Sequence, residues 1–344
     1  MRKFFTISAV AGLVSVGAVL GLNGRCLADG SEVNIYSHRQ PFLINPFLQE
    51  FTKETGIKTN VLYSKTGLAA RIEAEGENTP ADIVLTVDIA RLMSYANKKL
   101  LAPVNSKILL SNIPSHLRAS NKTWFAFSTR ARVVAISRDR VNRSELERIE
   151  DLKAIKWKGR ICTRPGRHIY NRSLLASIIN ANGPVEAEKW ARGLVTNLAR
   201  RPQGNDRAQI KAIHSGECDV ALVNSYYYGK LLNSKVDEQR QWAKSVRLVF
   251  MNQNDRGNHV NISGGGLVKY SKNRKNGIKF LEFLTDEIAQ KLYGKINFEY
   301  PVNPAVELSE ELKVWGSFKE DTVSIEKIAE LARESQKIID RSGW

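Results

Sequence analysis

Residues 33–63 read VNIYSHRQPFLINPFLQEFTKETGIKTNVLY, and this stretch decides the fold class. Its apolar residues form two short strand-like runs, 33–36 and 57–63, on either side of a segment with helical apolar spacing, 43–55. Gly56 ends that helix, as glycine commonly does. A strand, a helix and a second strand in this order are typical of a parallel sheet with helices on its faces.

The alternation of strands and helices continues toward the C-terminus and then begins again in a second series. A helix at 68–75 and a strand at 83–87 extend the first unit, and a long strand-like stretch, 124–137, precedes a second series that begins near 159–163. Two α/β lobes are implied, and two crossings between them suit hinged closure around a ligand. We expect the lobes to comprise residues 29–128 plus 257–305 and residues 129–256 plus 306–344.

The N-terminus has the pattern of a secretory signal peptide. Arg2 and Lys3 precede an apolar run at 4–22, and the small residue Ala28 follows. We therefore predict that residues 1–28 direct export to the periplasm and are cleaved after Ala28. An uncleaved membrane anchor is the alternative, because the apolar run is somewhat long.

Composition narrows the classes of function. The 344-residue chain is 42% hydrophobic and 25% charged, which is typical of a globular protein, and its net charge is +17. The basic residues are scattered, and no helix-turn-helix or RNP motif is present, so nucleic acid is not the expected partner. A basic surface that suits an exported protein or an anionic ligand is the better interpretation.

Two cysteines, Cys162 and Cys218, remain once the leader is removed. Each lies in a strand-like segment of the second lobe. In an oxidising compartment such a pair forms either a disulfide or two buried thiols, and the sequence leaves both open.

The most informative segment is 220–230, which reads VALVNSYYYGK. An apolar strand ends at Val223, so the tyrosines at 226–228 lie beyond the carboxyl end of a strand, where open α/β sheets bind ligands. Packing of the rings in a core is the alternative.

From these residues outward, the chain resembles the periplasmic ferric-ion-binding proteins of iron ABC importers. The resemblance is carried by YSHRQPFLINPFLQEFTKETGI, AEGENTPADIVLTVDIARL, GRICTRPGRHIYNRSLLASII, RPQGNDRAQIKAIHSGECDVALVNSYYYG and NHVNISGGGLVK. It implies the two-lobed type II periplasmic-binding fold, with hinged lobes that each have a central mixed sheet flanked by helices. It also implies a monomeric binding protein, not an enzyme, that captures Fe(III) and delivers it to an inner-membrane ABC permease.

The resemblance also implies the metal ligands, which are Tyr226, Tyr227 and Tyr170. Relatives take a further ligand from the loop after the first strand, where His38 stands in place of a frequent tyrosine and Gln40 is the other candidate. Fe(III) is a hard ion that prefers anionic oxygen, and each phenol, with an ordinary pKa near ~10, must lose its proton to bind. Three phenolates balance the charge of Fe(III).

Relatives often complete the iron coordination with a synergistic anion such as carbonate or bicarbonate. The helix that begins after Tyr170 favours an anion at its N-terminus. Arg130, Arg39 and Arg132 are the candidate partners of that anion, and ordinary salt bridges are their alternative role.

Two rival functions stay open at this point. The same fold suits a binding protein for a small anion, with the tyrosines only stacking or donating hydrogen bonds. A hydrolase that uses Cys162 and His168 is the weaker rival, because nothing supplies an oriented third group or an oxyanion site.

Overall fold

The computed structural model describes residues 32–344, and the predicted signal peptide lies outside the described residues. The strands are β1 Glu32–Ser37, β2 Lys58–Tyr63, β3 Ile83–Thr86, β4 Leu101–Ala102, β5 Phe125–Ser137, β6 Ile161–Cys162, β7 Val220–Asn224, β8 Val246–Val249, β9 Val260–Val268 and β10 Tyr300–Pro301. Within residues 32–344, no helix combines the length and the apolar character that crossing a bilayer requires.

The helices surround these strands. They are α1 Pro41–Thr55, α2 Leu68–Glu75, α3 Ile89–Asn97, α4 Lys107–Asn112, α5 Ile169–Thr196, α6 Asp206–His214, α7 Ser225–Leu232, α8 Asp237–Lys244, α9 Arg274–Phe283, α10 Glu287–Leu292, α11 Glu310–Lys313, α12 Ile325–Glu330 and α13 Ala332–Ser342. The predicted strand–helix–strand start is confirmed, and α2 has the predicted bounds.

The strands follow one another in the order β2-β1-β3-β9-β5-β7-β6. β1 is parallel to β2 and β3, whereas β9 is antiparallel to β3, β4 and β5. All 13 residues of β5 are buried. Its first part pairs with β9 and its second part pairs with β7 and β8, so this one strand continues from the first lobe into the second.

Two bodies of apolar packing define the lobes. The first contains β1–β3, β9 and the start of β5, with large buried side chains such as Phe47, Phe51 and Phe280. In the second lobe, alternate residues of β5 face opposite sides of the sheet, because side chains alternate along a strand. Val134 and Ile136 join one apolar layer, and Ala131, Val133 and Ala135 join the other.

The C-terminal segment contributes to both lobes. Ile325 and Ile328 of α12 pack in the first core, whereas Ile338, Ile339 and Trp344 pack in the second. The lobe boundaries drawn from the sequence stay a prediction. They assign residues 306–344 to the second lobe, whereas α12 packs against the core of the first lobe. The helical C-terminal segment is divided at Leu331 into α12 and α13.

Glycine decides the backbone at two places. Gly183, with φ of 80°, interrupts α5 before Pro184, so α5 consists of two helical arms. Gly265 lies in the middle of β9, where a Cβ atom would stand 2.2 Å from the carbonyl oxygen of Val84. The glycines at 264–266 therefore allow close contact between neighbouring strands of the first lobe.

A disulfide joins Cys162 of β6 to Cys218, which lies just before β7. Their Cα atoms are 5.9 Å apart, within the range of about 4.4–6.8 Å that disulfides span. Both residues are buried in the second lobe, so the bond ties β6 to the edge of β7 from within the core.

Replacing both Cys162 and Cys218 with alanine is expected to lower the free energy of unfolding by about 2–5 kcal/mol, because the crosslink restricts the unfolded chain. Equilibrium urea denaturation measures this loss. Reductant should destabilise the wild type and leave the double variant unchanged, and equal midpoints for the two oxidised proteins would contradict the expectation.

Candidate metal centre

A cavity of about 250 Å³ lies between the two lobes. Its wall contains six of the residues singled out in the sequence, namely His38, Gln40, Arg130, Tyr170, Tyr226 and Tyr227. Arg39 and Arg132 are buried elsewhere in the structure. The tertiary structure therefore brings together the three predicted phenols and one of the three predicted arginines.

The turn from β7 into α7 positions Tyr226 and Tyr227. β7 ends at Asn224, and the tyrosines occupy the first turn of a helix that the sequence reasoning did not predict. Their ring centroids are 4.3 Å apart. Because successive helical residues point about 100° apart, Tyr228 is turned away from the cavity, and its ring packs against Trp315 at 5.9 Å.

Tyr170 reaches the same point from the first turn of α5. Its hydroxyl is 3.2 Å from the hydroxyl of Tyr226. Burial, reinforced by the neighbouring Tyr170, raises the pKa of Tyr226 well above its usual value. Burial also raises the pKa of Tyr227 to about 12. The phenols of Tyr226 and Tyr227 are therefore neutral at neutral pH, and the loss of their protons requires a strongly charged ligand.

Asp206 holds the backbone that carries these tyrosines. Its carboxylate accepts hydrogen bonds from Arg132 Nη1 at 2.7 Å, from Arg164 Nη1 at 3.1 Å and from the backbone N–H of Asn224 at 2.8 Å. Arg132 Nη2 also donates to Asn171 Oδ1 at 2.6 Å. Asn171 follows Tyr170 directly, and Asn224 precedes Tyr226 by two residues, so one buried cluster positions both phenols.

The three candidate anion-binding arginines have different surroundings. Arg132 belongs to the Asp206 cluster, and Arg39 donates to Glu299 Oε2 at 2.6 Å, so neither lies in the cavity wall, contrary to our expectation from the sequence. Arg130 does line the cavity. Its Nη1 donates to Ser263 Oγ at 3.2 Å, while its Nε and Nη2 have no hydrogen-bond partner among residues 32–344. Arg130 therefore has donors left for an anion.

Both ring nitrogens of His38 are already engaged. Nδ1 lies 2.7 Å from the carbonyl oxygen of Ser64, and Nε2 lies 2.8 Å from the hydroxyl of Tyr95. A carbonyl only accepts, so the Nδ1–H donates to it and Nε2 accepts from the Tyr95 hydroxyl. Burial lowers the pKa of His38, which favours the same neutral imidazole. Ligation by His38 would require one of these bonds to break.

Sequence reasoning missed several residues of the wall. Four of them are basic, namely Lys65, Arg91, Arg207 and Lys230, and a fifth is Tyr63 at the end of β2. Burial lowers the pKa of Lys230 to about 8. Tyr63 could have been predicted as a cavity residue, because it lies at the carboxyl end of a strand. The four basic residues could not, because they are scattered along the sequence.

The Cys/His pair of the hydrolase alternative has no free thiol. Cys162 is bonded to Cys218. The Nδ1 atom of His168 accepts a hydrogen bond from the backbone N–H of Tyr170 at 3.3 Å, so this histidine caps the start of α5. Burial lowers the pKa of His168 to about 3. These two residues therefore serve the fold of the second lobe.

Residues 78–318 match a family model described as bacterial extracellular solute-binding protein. The match covers well over half of the chain, which therefore belongs to this family.

Three relatives are more informative about the ligand. Iron uptake protein A1 of Synechocystis is 44% identical over 317 residues, covering 92% of this chain and 88% of that protein. The structure of Trichodesmium FutA in complex with iron and citrate ligands has a TM-score of 0.87 at 44% identity, with 91% and 99% of the two chains covered. Mannheimia haemolytica ferric iron-binding protein A, in an open conformation, has a TM-score of 0.85 at 43% identity, with 91% and 98% covered. The predicted two-lobed type II fold is confirmed by these neighbours.

Replacing Asp206 with asparagine is expected to destabilise the protein by about 3–5 kcal/mol, because Arg132 and Arg164 then lose their buried counter-charge. Urea denaturation measures the change. The matched control is Asp237→Asn, which removes an exposed pair with Arg240 and should cost at most about 1 kcal/mol. Similar small losses in both variants would show that the cluster does not hold the second lobe together.

Proposed function

We propose that this chain is an exported, periplasmic binding protein that captures ferric iron between its lobes through the phenolates of Tyr170, Tyr226 and Tyr227. The observation that carries the proposal is the convergence of three phenols from two helix starts in one interlobe cavity. Fe(III) is hard and prefers anionic oxygen, and three phenolates balance its charge. Within residues 32–344, no group of three or more His, Cys, Asp or Glu offers another metal site.

The relatives support iron as the ligand. One of them is named an iron uptake protein and another a ferric iron-binding protein, and the Trichodesmium structure contains iron and citrate. All three are similar to this chain over nine-tenths of its length or more. Iron uptake is therefore the process in which this protein takes part under our proposal.

An anion completes the site in this proposal. Arg130 lines the cavity beside four other basic side chains, and two of its nitrogens have no hydrogen-bond partner within residues 32–344, although Nη2 forms a longer ion pair with Asp88 at 3.8 Å. The N-terminus of α5 adds the positive end of a helix dipole beside Tyr170. Carbonate or bicarbonate fits these donors, and a carboxylate ligand such as the citrate of the Trichodesmium complex uses the same chemistry.

Hinged closure and delivery complete the proposed cycle. β5 joins the two lobes, and residues from both lobes line the cavity, so closure brings donors from both sides onto the ligand. The closed monomer then docks on an inner-membrane ABC permease, which takes the iron. On the first-lobe side, His38 and Gln40 are the donors that the sequence analysis proposed.

The basic wall favours one other candidate, which is a binding protein for a small anion without iron. The two functions differ in colour, because phenolate bound to Fe(III) has a visible charge-transfer band and a protein–anion complex has none. A visible spectrum of the protein with ferric salt and bicarbonate, beside one with bicarbonate alone, distinguishes them.

Tyr226→Phe and Tyr227→Phe are each expected to weaken iron binding by more than the roughly 10–100-fold that loss of an outer-shell partner costs, because each removes an anionic ligand. Chelator competition, followed at the visible band, measures the affinity. Tyr228→Phe is the matched control, since that ring packs in the core against Trp315. Unchanged affinity in both cavity variants would contradict the phenolate assignment.

Iron affinity is expected to fall as the pH falls. Because burial raises the pKa values of Tyr226 and Tyr227, both phenols are protonated at neutral pH and each must release a proton to bind iron. Each phenolate that forms therefore weakens the apparent affinity about tenfold per unit of acidification. Titrations at a fixed free-iron activity, at mildly acidic and neutral pH, measure the slope. Equal affinities at the two pH values are incompatible with phenolate ligation.

A further inference from the structure

We infer that Tyr63 is a fourth phenolate ligand of the iron, supplied by the first lobe when the cleft closes. This inference rests on the proposed function, because it assumes that iron binds to the phenols of the second lobe. It assigns the first-lobe ligand to the end of β2 and not to the loop after β1.

The register of the first sheet places Tyr63 beside the expected ligand loop. β1 and β2 are parallel, and Ser37, the last residue of β1, is paired with Tyr63, the last residue of β2. The backbone N–H of Ser64 donates to the carbonyl oxygen of Ser37 at 3.1 Å, so the two strand ends are held together. Both strands end at the cavity, and the half-buried Tyr63 lies in its wall.

His38, the competing first-lobe donor, is constrained by its own hydrogen bonds. Turning its ring toward a metal would separate it from the carbonyl of Ser64 or the hydroxyl of Tyr95. Leaving a buried polar group unpaired costs about 1–3 kcal/mol. Imidazole is also a neutral and softer donor than phenolate, so it is the poorer ligand for Fe(III).

Tyr63 has neither constraint. Across residues 32–344, its hydroxyl makes no hydrogen bond with another residue. The hydroxyl of Tyr36, by contrast, donates to Glu75 at 2.9 Å, and the hydroxyl of Tyr95 donates to His38. Tyr63 is therefore the first-lobe phenol that lines the cavity with its oxygen available.

The charges around the cavity suit a fourth phenolate. Four phenolates around Fe(III) give a net charge of −1 before any anion is added. The wall contains Lys65, Arg91, Arg207 and Lys230, and its acidic member, Glu299, is already paired with Arg39. The surplus of positive charge stabilises an anionic iron centre, because opposite charges in a partly buried site attract strongly.

Tyr63→Phe tests the inference, with Tyr270→Phe as the matched control. Tyr270 belongs to the first lobe, follows β9 and contacts Lys269 outside the cavity. Under identical buffered ferric chelate and bicarbonate, we expect Tyr63→Phe to release one proton fewer per bound iron than the wild type, because one phenol fewer ionises. We also expect it to keep a visible band from the other three phenolates and to lose the iron-induced decrease in radius of gyration measured by X-ray scattering. Tyr270→Phe should behave as the wild type.

The result that overturns the inference is a Tyr63→Phe protein with wild-type proton release and wild-type compaction. Loss of compaction in His38→Ala or Gln40→Ala, with Tyr63→Phe unaffected, would assign the first-lobe ligand to the loop after β1. Failure of the proposed function itself is distinguishable, since the wild type would then show no iron-dependent band at all.

Discussion

The carboxylate of Asp206 is the constraint on which the second lobe and its binding site depend. A buried charge must be compensated, and Asp206 is compensated by two guanidinium groups, those of Arg132 and Arg164. These partners come from β5 and from the segment before α5, while Asp206 itself begins α6. The carboxylate also fixes the end of β7 through the N–H of Asn224. Four segments therefore meet at one charge, and the starts of α5 and α7 are positioned by it.

A single strand connects this cluster to the first lobe. Ser128, Arg130 and Arg132 are spaced by two residues on β5, so their side chains share one face of the strand. Ser128 donates to Glu299, which also pairs with Arg39. Arg132 reaches Asp206, and Arg130 lies between them at the cavity. This polar face of β5 therefore contacts buried polar groups of both lobes.

Two features of the cavity determine which ligand it accepts, namely its buried phenols and its basic wall. Burial keeps the phenols of Tyr226 and Tyr227 neutral, because a phenolate in a desolvated site is costly. The basic wall repels a bare cation and attracts anions. A ferric ion with phenolates and an anion is negative overall, which suits that wall. Under our proposal, the site thus favours the complete complex over the metal ion or the anion alone.

The sequence by itself determined the elements whose signals are local. Apolar spacing located β1, α1, α2 and β5. Resemblance to a known family identified the three tyrosines, and the structure gathers them in one cavity. Only the tertiary structure decided which arginine lines the cavity, because Arg39 pairs with a residue 260 positions away and Arg132 with one 74 positions away. The same holds for the two hydrogen bonds of His38 and for the hydroxyl of Tyr63, which has no hydrogen-bond partner within residues 32–344. Periodicity and capping act over a few residues, whereas the partner of a buried polar group depends on how distant segments meet.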